Sequence, residues 1–427
     1  MWKILIKAFY YSEKDNDTIE KILDLRIFKR RRKMDSKTRI LTTLNHEEPD
    51  RVPIFDLGVD SVPIIEKYSG RSLSSIIGFI RLIRILIPFG WRRFLKWGAR
   101  RSMIYTIVGK SAAKFMKTMG YDATFCPVSL FFLKSEFPSK KEYVDEYGRH
   151  FFFSKIESGG KQIDHAYYKS GFFDTEDPEA AYEKWGLLDP DHPARSNAYK
   201  AALKEAKDEI YVIPAMIGPL EGTWESFGFT TFTKLLYKKP HFIEKVFRDR
   251  GDFMAALTEN MLDLGAETIL ILDDAGYKGS PFLSPKMYEK YVASQIKRVA
   301  DKVHACDGKV MMHSCGDVSK LLDAITSAGV DALHPWESTA GMNIFEAKEK
   351  WGEKLTLIGN VPIDMLTHGT PQEVEEYVKK LFKICAPGGG YILSSGHSVS
   401  YSVTLENYEA MLAAGRKYSS YPISIEE

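Results

Sequence analysis

The sequence predicts an α/β chain folded as a (β/α)8 TIM barrel with an N-terminal extension and a basic helical insertion. Three observations carry this prediction. From residue 210 onward, short and nearly continuous apolar runs alternate with amphipathic stretches of helical period. That is the pattern of parallel strands covered on both faces by helices. With two earlier runs the strand candidates number about eight, as a barrel requires, and barrels of this length with insertions are ordinary. Polar residues also collect at the C-terminal ends of the runs, where barrels build their sites. A doubly wound open sheet is the alternative. It calls for a Gly-rich turn after an early strand, and the chain has no GxGxxG.

The elements follow in order. "RVPIFD" (51–56) and "YDATFC" (121–126) are the early strands. The later ones are "IYVIPAMIG" (210–218), "ETILILDD" (267–274), "KVMMHSCGD" (309–317), "DALHPWE" (331–337), "LTLIGNV" (355–361) and "GYILSSGH" (390–397). Helical periodicity fills 241–264, 286–305, 317–328, 343–351, 371–384 and 405–417. Two regions break the rhythm. Residues 139–200 are rich in aromatics, charges and turn signals and predict a β-hairpin excursion. Residues 67–121 hold twelve Lys/Arg and no carboxylate. Their core, 76–101, is apolar and basic at once and is broken by Pro88 and Gly90 into two short helices. Such helices form a lid over the barrel mouth, a partner-docking surface, or a membrane-surface contact. Residues 1–33 form an N-terminal extension, or translation starts at Met34; residues 34–427 form the barrel domain.

Composition narrows the classes. The 427 residues are 44% hydrophobic and 27% charged, an ordinary globular balance. A net charge of +2 gives no global reason to expect nucleic acid. The four cysteines (Cys126, Cys306, Cys315 and Cys385) form no CxxC pair, which speaks against a secreted disulfide framework and for a reducing cytoplasm. No apolar run reaches the roughly 20 residues of a membrane span, and the N-terminus does not read as a signal peptide.

The strand ends supply the site candidates. His313 and Cys315 stand two apart, so on a strand both point to one face. Imidazole and thiolate are zinc donors, and a catalytic zinc site uses three protein ligands with one open position. Alone, the pair reads first as a satisfied histidine beside a buried cysteine. Asp273, Asp274 and Glu337 are candidate catalytic residues whose plainer role is turn or cap chemistry. Glu221 and Trp224, in "GPLEGTW" (218–224), and Asn360 are candidate substrate-binding residues. Cys126, Cys306 and Cys385 have no partner spacing. His334 and His368 read as structural or solvent-exposed.

Several segments together resemble the uroporphyrinogen decarboxylase superfamily: "HSCGDV", "AGMN", "KLTLIGNVPIDMLTHGTPQEV", "APGGGYILSSGHSVSYSVTLENYEAM", "PDRVPIF", "LSPKMYEKYVASQIKRV" and "IGPLEGTWESFGF". The resemblance spans residues 35–420 apart from the basic insertion, and it implies a (β/α)8 fold. One branch decarboxylates a tetrapyrrole without a cofactor, using early arginines and a key aspartate. The matching segments here, "IFDLGVDSVPII" (54–65) and "ATFCPVSLFF" (123–132), lack those arginines and that aspartate. The other branch comprises zinc methyltransferases that move a methyl group between a corrinoid protein and a thiol. His313 and Cys315 fall on its first two zinc ligands, and His397 stands where its third ligand is a cysteine. The resemblance therefore implies a zinc site of His313, Cys315 and His397, a corrinoid (cobalamin) carried by a partner protein, and a small-molecule methyl acceptor. Exchanging a thiolate for a neutral imidazole makes such a site more positive and a bound thiolate less nucleophilic. A tetrapyrrole decarboxylase or binding protein, and a non-catalytic binding protein on the same barrel, are the alternatives.

Overall fold

A computed structural model of the protein describes residues 33–70, 102–129, 133–139 and 141–425. The N-terminal extension and the basic helices of 76–101 lie outside the described residues. On either side of that core the chain is helical: Val62–Ser69 before it and Ser102–Met119 after it.

Thirteen strands are described, β1 to β13 in chain order. Seven form one parallel sheet: β1 (Ala123–Pro127), β6 (Tyr211–Ile217), β7 (Thr268–Leu272), β10 (Lys309–His313), β11 (Ala332–His334), β12 (Thr356–Val361) and β13 (Tyr391–Ser395). They lie side by side in chain order. A doubly wound sheet reverses that order at a switch point; this one never does, so the sheet curls in one direction as in a TIM-like barrel. The apolar runs explain the layering. Every residue of β6, β7, β12 and β13 is buried, as strands packed on both faces must be.

Helices cross over between the strands. Pro240–Leu262, Pro285–His304 with a π-turn at Glu289–Ala293, Ile344–Trp351, Pro371–Cys385 and Leu405–Lys417 fall where the periodicity put them. Pro371–Cys385 starts on a capping box between Thr370 and Glu373, with a proline at its first turn.

The predicted first strand takes a different form. In place of a regular strand, residues 51–55 make isolated bridges, antiparallel from Arg51 to Ser420 and parallel from Ile54 to Leu393. Phe55 N donates to Leu393 O at 3.0 Å and Leu393 N to Pro53 O at 3.0 Å, while Asp122 N donates to Ile54 O at 2.9 Å. The segment thus hydrogen-bonds on one side to β13 and on the other to the residue preceding β1. Pro53 has no N–H to extend the ladder. The excursion at 139–200 is richer than a hairpin. β2 (Glu136–Ser139), β3 (Glu142–Val144), β4 (Arg149–Ser158) and β5 (Lys161–Gly171) make a four-stranded antiparallel sheet, and the helices Pro178–Trp185 and Pro193–Ala206 follow it.

Candidate metal centre

The site begins at the end of β10. Parallel pairing sets His313 of β10 beside His334 of β11. After His313 the chain turns through Ser314, Cys315 and Gly316. Gly316 has φ +81°, and a Cβ there would lie 2.3 Å from the Gly276 backbone. Two glycine loops, one after β7 and one after β10, are thereby pressed together, and Gly276 N donates to Cys315 O at 3.1 Å. This contact brings Asp274 against Cys315, whose N–H donates to Asp274 Oδ1 at 2.8 Å.

Two imidazole nitrogens converge on one sulfur. Cys315 Sγ lies 3.2 Å from His313 Nε2 and 3.0 Å from His397 Nε2. Asp274 Oδ1 is 3.6 Å from His313 Nε2, and one ligand atom from each of Asp274, His313 and Cys315 falls within 4.8 Å of the others. Zinc bond lengths imply donor separations of about 3.5 Å in a tetrahedral site, so these spacings need only a slight outward shift to take the ion. The electrostatics fit a cation as well. Burial, and next the Asp274 carboxylate, push the Cys315 thiol well above its ordinary range. Burial pulls His313 down to about 4 and His334 well below its ordinary value. Two imidazoles, a thiol and a carboxylate form a borderline-soft donor set suited to zinc.

The other predicted residues surround this cluster in different ways. Glu337 Oε2 accepts from Gly316 N at 2.9 Å. Asp273 is fully buried, and its carboxylate accepts from Glu221 N at 2.7 Å and Leu220 N at 3.3 Å; burial pushes it up to about 7. It caps the helix Pro219–Phe227 from the neighbouring strand. Glu221 accepts from Arg149 Nη1 at 2.7 Å, and burial followed by the Asp274 charge raises it well above the usual carboxylate range. Trp224 packs between Tyr168 and Phe282, with ring centroids at 5.3 and 5.1 Å, and its Nε1 is buried with no hydrogen-bond partner among the described residues. Asn360 stands apart from the cluster. Its Nδ2 donates to Trp336 O at 2.8 Å, and its Oδ1 accepts from Tyr377 OH at 3.2 Å; Tyr377 belongs to the helix Pro371–Cys385.

Three participants escape the sequence reasoning. His334 is fully buried and its Nδ1 lies 2.7 Å from His313 Nδ1. Asp56 is fully buried and binds Ser394 and Ser395. It ends the "RVPIFD" run, so the strand-end signal that selects Asp273 was present there too. Arg149 is reached by no local signal. Its guanidinium bonds Asp145 as well as Glu221 and Glu225, partners brought together only by the fold.

Comparison with known proteins bears on family and fold. The sequence model of the uroporphyrinogen decarboxylase (URO-D) family matches residues 173–418. The methylcobamide:CoM methyltransferase MtaA of Methanosarcina barkeri is 24% identical over 229 residues, which are 53% of this chain and 64% of that protein. The methylcobamide:CoM methyltransferase MtbA of Methanosarcina acetivorans is 26% identical over 227 residues, 52% of this chain and 62% of that one. A uroporphyrinogen decarboxylase of Pseudoalteromonas translucida is 24% identical over 235 residues, 52% and 64% of the two chains. The match thus spans a little under two thirds of the length of these relatives. Among solved structures, a methyltransferase from Methanosarcina mazei superposes with a TM-score of 0.62 at 18% identity, covering 90% of this chain and 99% of that one, and so shares the fold. The family match runs from just after β5 to the end of the last helix, more than half of the chain, and this chain therefore belongs to the uroporphyrinogen decarboxylase family.

Proposed function

We propose that the protein is a zinc-dependent methyltransferase. It moves a methyl group between a corrinoid carried by a partner protein and a thiol or similar small acceptor. The scaffold on this reading is a complete (β/α)8 barrel, with residues 53–55 as its eighth stave. The observation that carries the reading is the convergence of His313 Nε2 and His397 Nε2 on Cys315 Sγ. A satisfied core histidine needs no second imidazole and no thiol.

His313, Cys315 and His397 would hold the metal, with Asp274 beside the remaining position. When bound, zinc supplies Lewis acidity that lowers the pKa of an acceptor thiol. The chain's own residues do the rest. Asp274 and Glu337 pin the Cys315–Gly316 turn through its backbone amides. Tyr168, Trp224 and Phe282 form an apolar wall, and the unpaired Trp224 N–H is a donor for a substrate group. Asp273 sets that wall by capping the helix that carries Glu221 and Trp224.

The decarboxylase reading has less support. A tetrapyrrole with many carboxylates needs cations, yet Glu221, Asp274 and Glu337 line this side of the site. The Arg149 guanidinium is taken up by Asp145, Glu221 and Glu225.

Metal analysis of freshly purified protein beside Cys315→Ala and His397→Ala is the test. About one zinc per chain, lost in both variants, is expected for a three-ligand site; methylcobalamin with added thiols then reports transfer. Protein that takes up no zinc after reconstitution under reducing conditions refutes the reading.

A further inference from the structure

Behind His313 runs a chain of buried polar groups that no metal would touch. His313 Nδ1 meets His334 Nδ1 at 2.7 Å. His334 Nε2 meets Ser394 Oγ at 3.0 Å, and Ser394 Oγ donates to Asp56 Oδ1 at 2.9 Å. Asp56 also accepts from Ser395 N at 3.2 Å, from Ser395 Oγ at 2.5 Å and from Tyr121 OH at 2.9 Å. His334, Ser394 and Asp56 are all fully buried, so water does not compete for these bonds.

The direction of this chain follows from counting hydrogens. A carboxylate only accepts, and a serine hydroxyl has one hydrogen to give. If Ser394 donates to Asp56, its lone pair must receive the N–H of His334 Nε2. His334 Nδ1 then carries a lone pair, so the proton between the two imidazoles sits on His313 Nδ1. What remains is a bare lone pair on His313 Nε2, the atom that faces Cys315 Sγ. The opposite tautomer would put a hydrogen there and leave Ser394 without a proton for Asp56.

The geometry points to Asp56, Ser394 and His334 as a positioning relay. It locks His313 in the Nδ1–H tautomer, aims its Nε2 lone pair into the site and so sets the metal affinity from a distance. This rests on the metal reading of the site, and it extends that reading to three residues that do not contact the metal. Outer partners of this kind fix ring orientation and raise ligand basicity. Here the support ends on a carboxylate three hydrogen bonds away, contributed by the segment at residues 53–56 that bridges the first and last strands of the sheet.

Two measurements separate this relay from the metal reading. In metal-free protein labelled with 15N at histidine and kept at pH 8, where the Asp56 carboxyl is ionised, long-range 1H–15N spectra report each imidazole tautomer. His313 is expected as Nδ1–H in the native chain, and as a mixture in Ser394→Ala and His334→Leu. An Nε2–H tautomer in the native protein, or no change in either variant, overturns the relay whether or not zinc binds. Zinc competition against a chromophoric chelator is the second measurement. Ser394→Ala and His334→Leu should lose about 10–100-fold in affinity, the usual effect of removing an outer partner, with a shifted absorption spectrum of the cobalt(II)-loaded protein. His334→Gln can still accept from His313 and donate to Ser394, and should stay within a few-fold of native. Equal affinity in all three variants overturns the relay, while failure of the native chain to bind zinc, with the tautomer as expected, overturns only the metal reading.

Discussion

Asp122 is the residue whose loss should be felt most across the sheet closure. It is buried just before β1, and its two oxygens accept from Arg39 Nη1 at 2.6 Å, Arg51 Nη1 at 2.8 Å, Arg51 Nη2 at 2.7 Å and Ile54 N at 2.8 Å. Asp122→Asn keeps the shape and removes the charge, while its amide hydrogens face guanidinium donors. Breaking a buried ion pair by removing one partner costs about 3–5 kcal/mol. Two features place this case at the lower end. Arg39 keeps Asp50 through bonds of 2.7 and 2.9 Å, and Arg51, whose side chain is 28% exposed, can rehydrate. A loss of about 3 kcal/mol is therefore expected. With a urea slope of about 3 kcal/mol/M or more for a chain of this size, the midpoint falls by up to about 1 M. Fluorescence and circular dichroism should be read together, because a chain this long need not unfold in two states and the shift is read as stability only where the curves coincide. Hydrogen exchange should quicken at Phe55 and Leu393, whose amides bond across the closure. A midpoint shift below about 0.2 M, or unchanged exchange at both amides, refutes the claim that Asp122 holds the segment in place.

Three further outcomes follow from the geometry. In Gly218→Ala the new Cβ meets the Asp273 side chain at 2.2–2.6 Å; overpacking costs about 1–3 kcal/mol and displaces the cap on Glu221 and Leu220, which scanning calorimetry should record as a lowered transition. Asp56 is pushed by burial from its ordinary 3.8 up to about 6, so the folded state holds a proton that the unfolded chain has released. Stability from this group is therefore full below about pH 4 and falls by roughly 3 kcal/mol as pH rises to about 6; urea midpoints across that window should flatten in Asp56→Asn. Arg149→Met strands Asp145, Glu221 and Glu225 without their cation, at a cost of about 3–5 kcal/mol. Glu225 is already raised to about 7 by burial and can be relieved by protonation, so the deficit against the native chain should be larger at pH 8 than at pH 5.

Much of the fold was legible because strand burial on both faces leaves a strong mark. "YVIPAMI" has no polar position to disguise it, and each later strand was found within a few residues. The segment at residues 51–56 was harder. Its sequence reads as a strand, but Pro53 and its short reach leave only bridges. Resemblance singled out His313, Cys315 and His397, which the fold brings together; spacing alone singled out only the first two. His334 was read as structural or exposed, because a histidine that ends a strand looks the same in sequence whether it meets water or another imidazole. The register of β10 with β11 decides between these, and register is a property of the sheet. Arg149 and its three carboxylates belong to the antiparallel excursion and the helix Pro219–Phe227, two elements whose meeting no local pattern announces.

The strand-end carboxylates share one kind of work. Asp273, after β7, reaches back to the amides of the first helical turn after β6. Asp274, next in the chain, reaches forward to the amide of Cys315 after β10. Glu337, after β11, reaches back to the amide of Gly316 in that same loop. Each ties the end of one strand to the segment that follows a neighbour, through backbone groups that would otherwise be bound by water. Charge-assisted bonds of this kind are stronger than neutral ones, and loops joined this way do not have to be ordered when a ligand arrives. Acids at strand ends can therefore be placed by the demands of precision as well as by chemistry. Asp274 is the one member of the three whose position serves both, since its amide contact holds the Cys315 turn while its carboxylate stays with the sulfur and imidazole donors. Under the proposed reading, Asp274→Asn keeps an oxygen acceptor for the Cys315 amide and removes only the negative charge. It should leave the loop in place and weaken metal binding, whereas Glu337→Ala should loosen the loop and weaken binding only through that. Exchange of the Gly316 amide, read beside zinc affinity, separates the two, and protection of that amide lost in Asp274→Asn as fully as in Glu337→Ala would show that Asp274 is a staple alone.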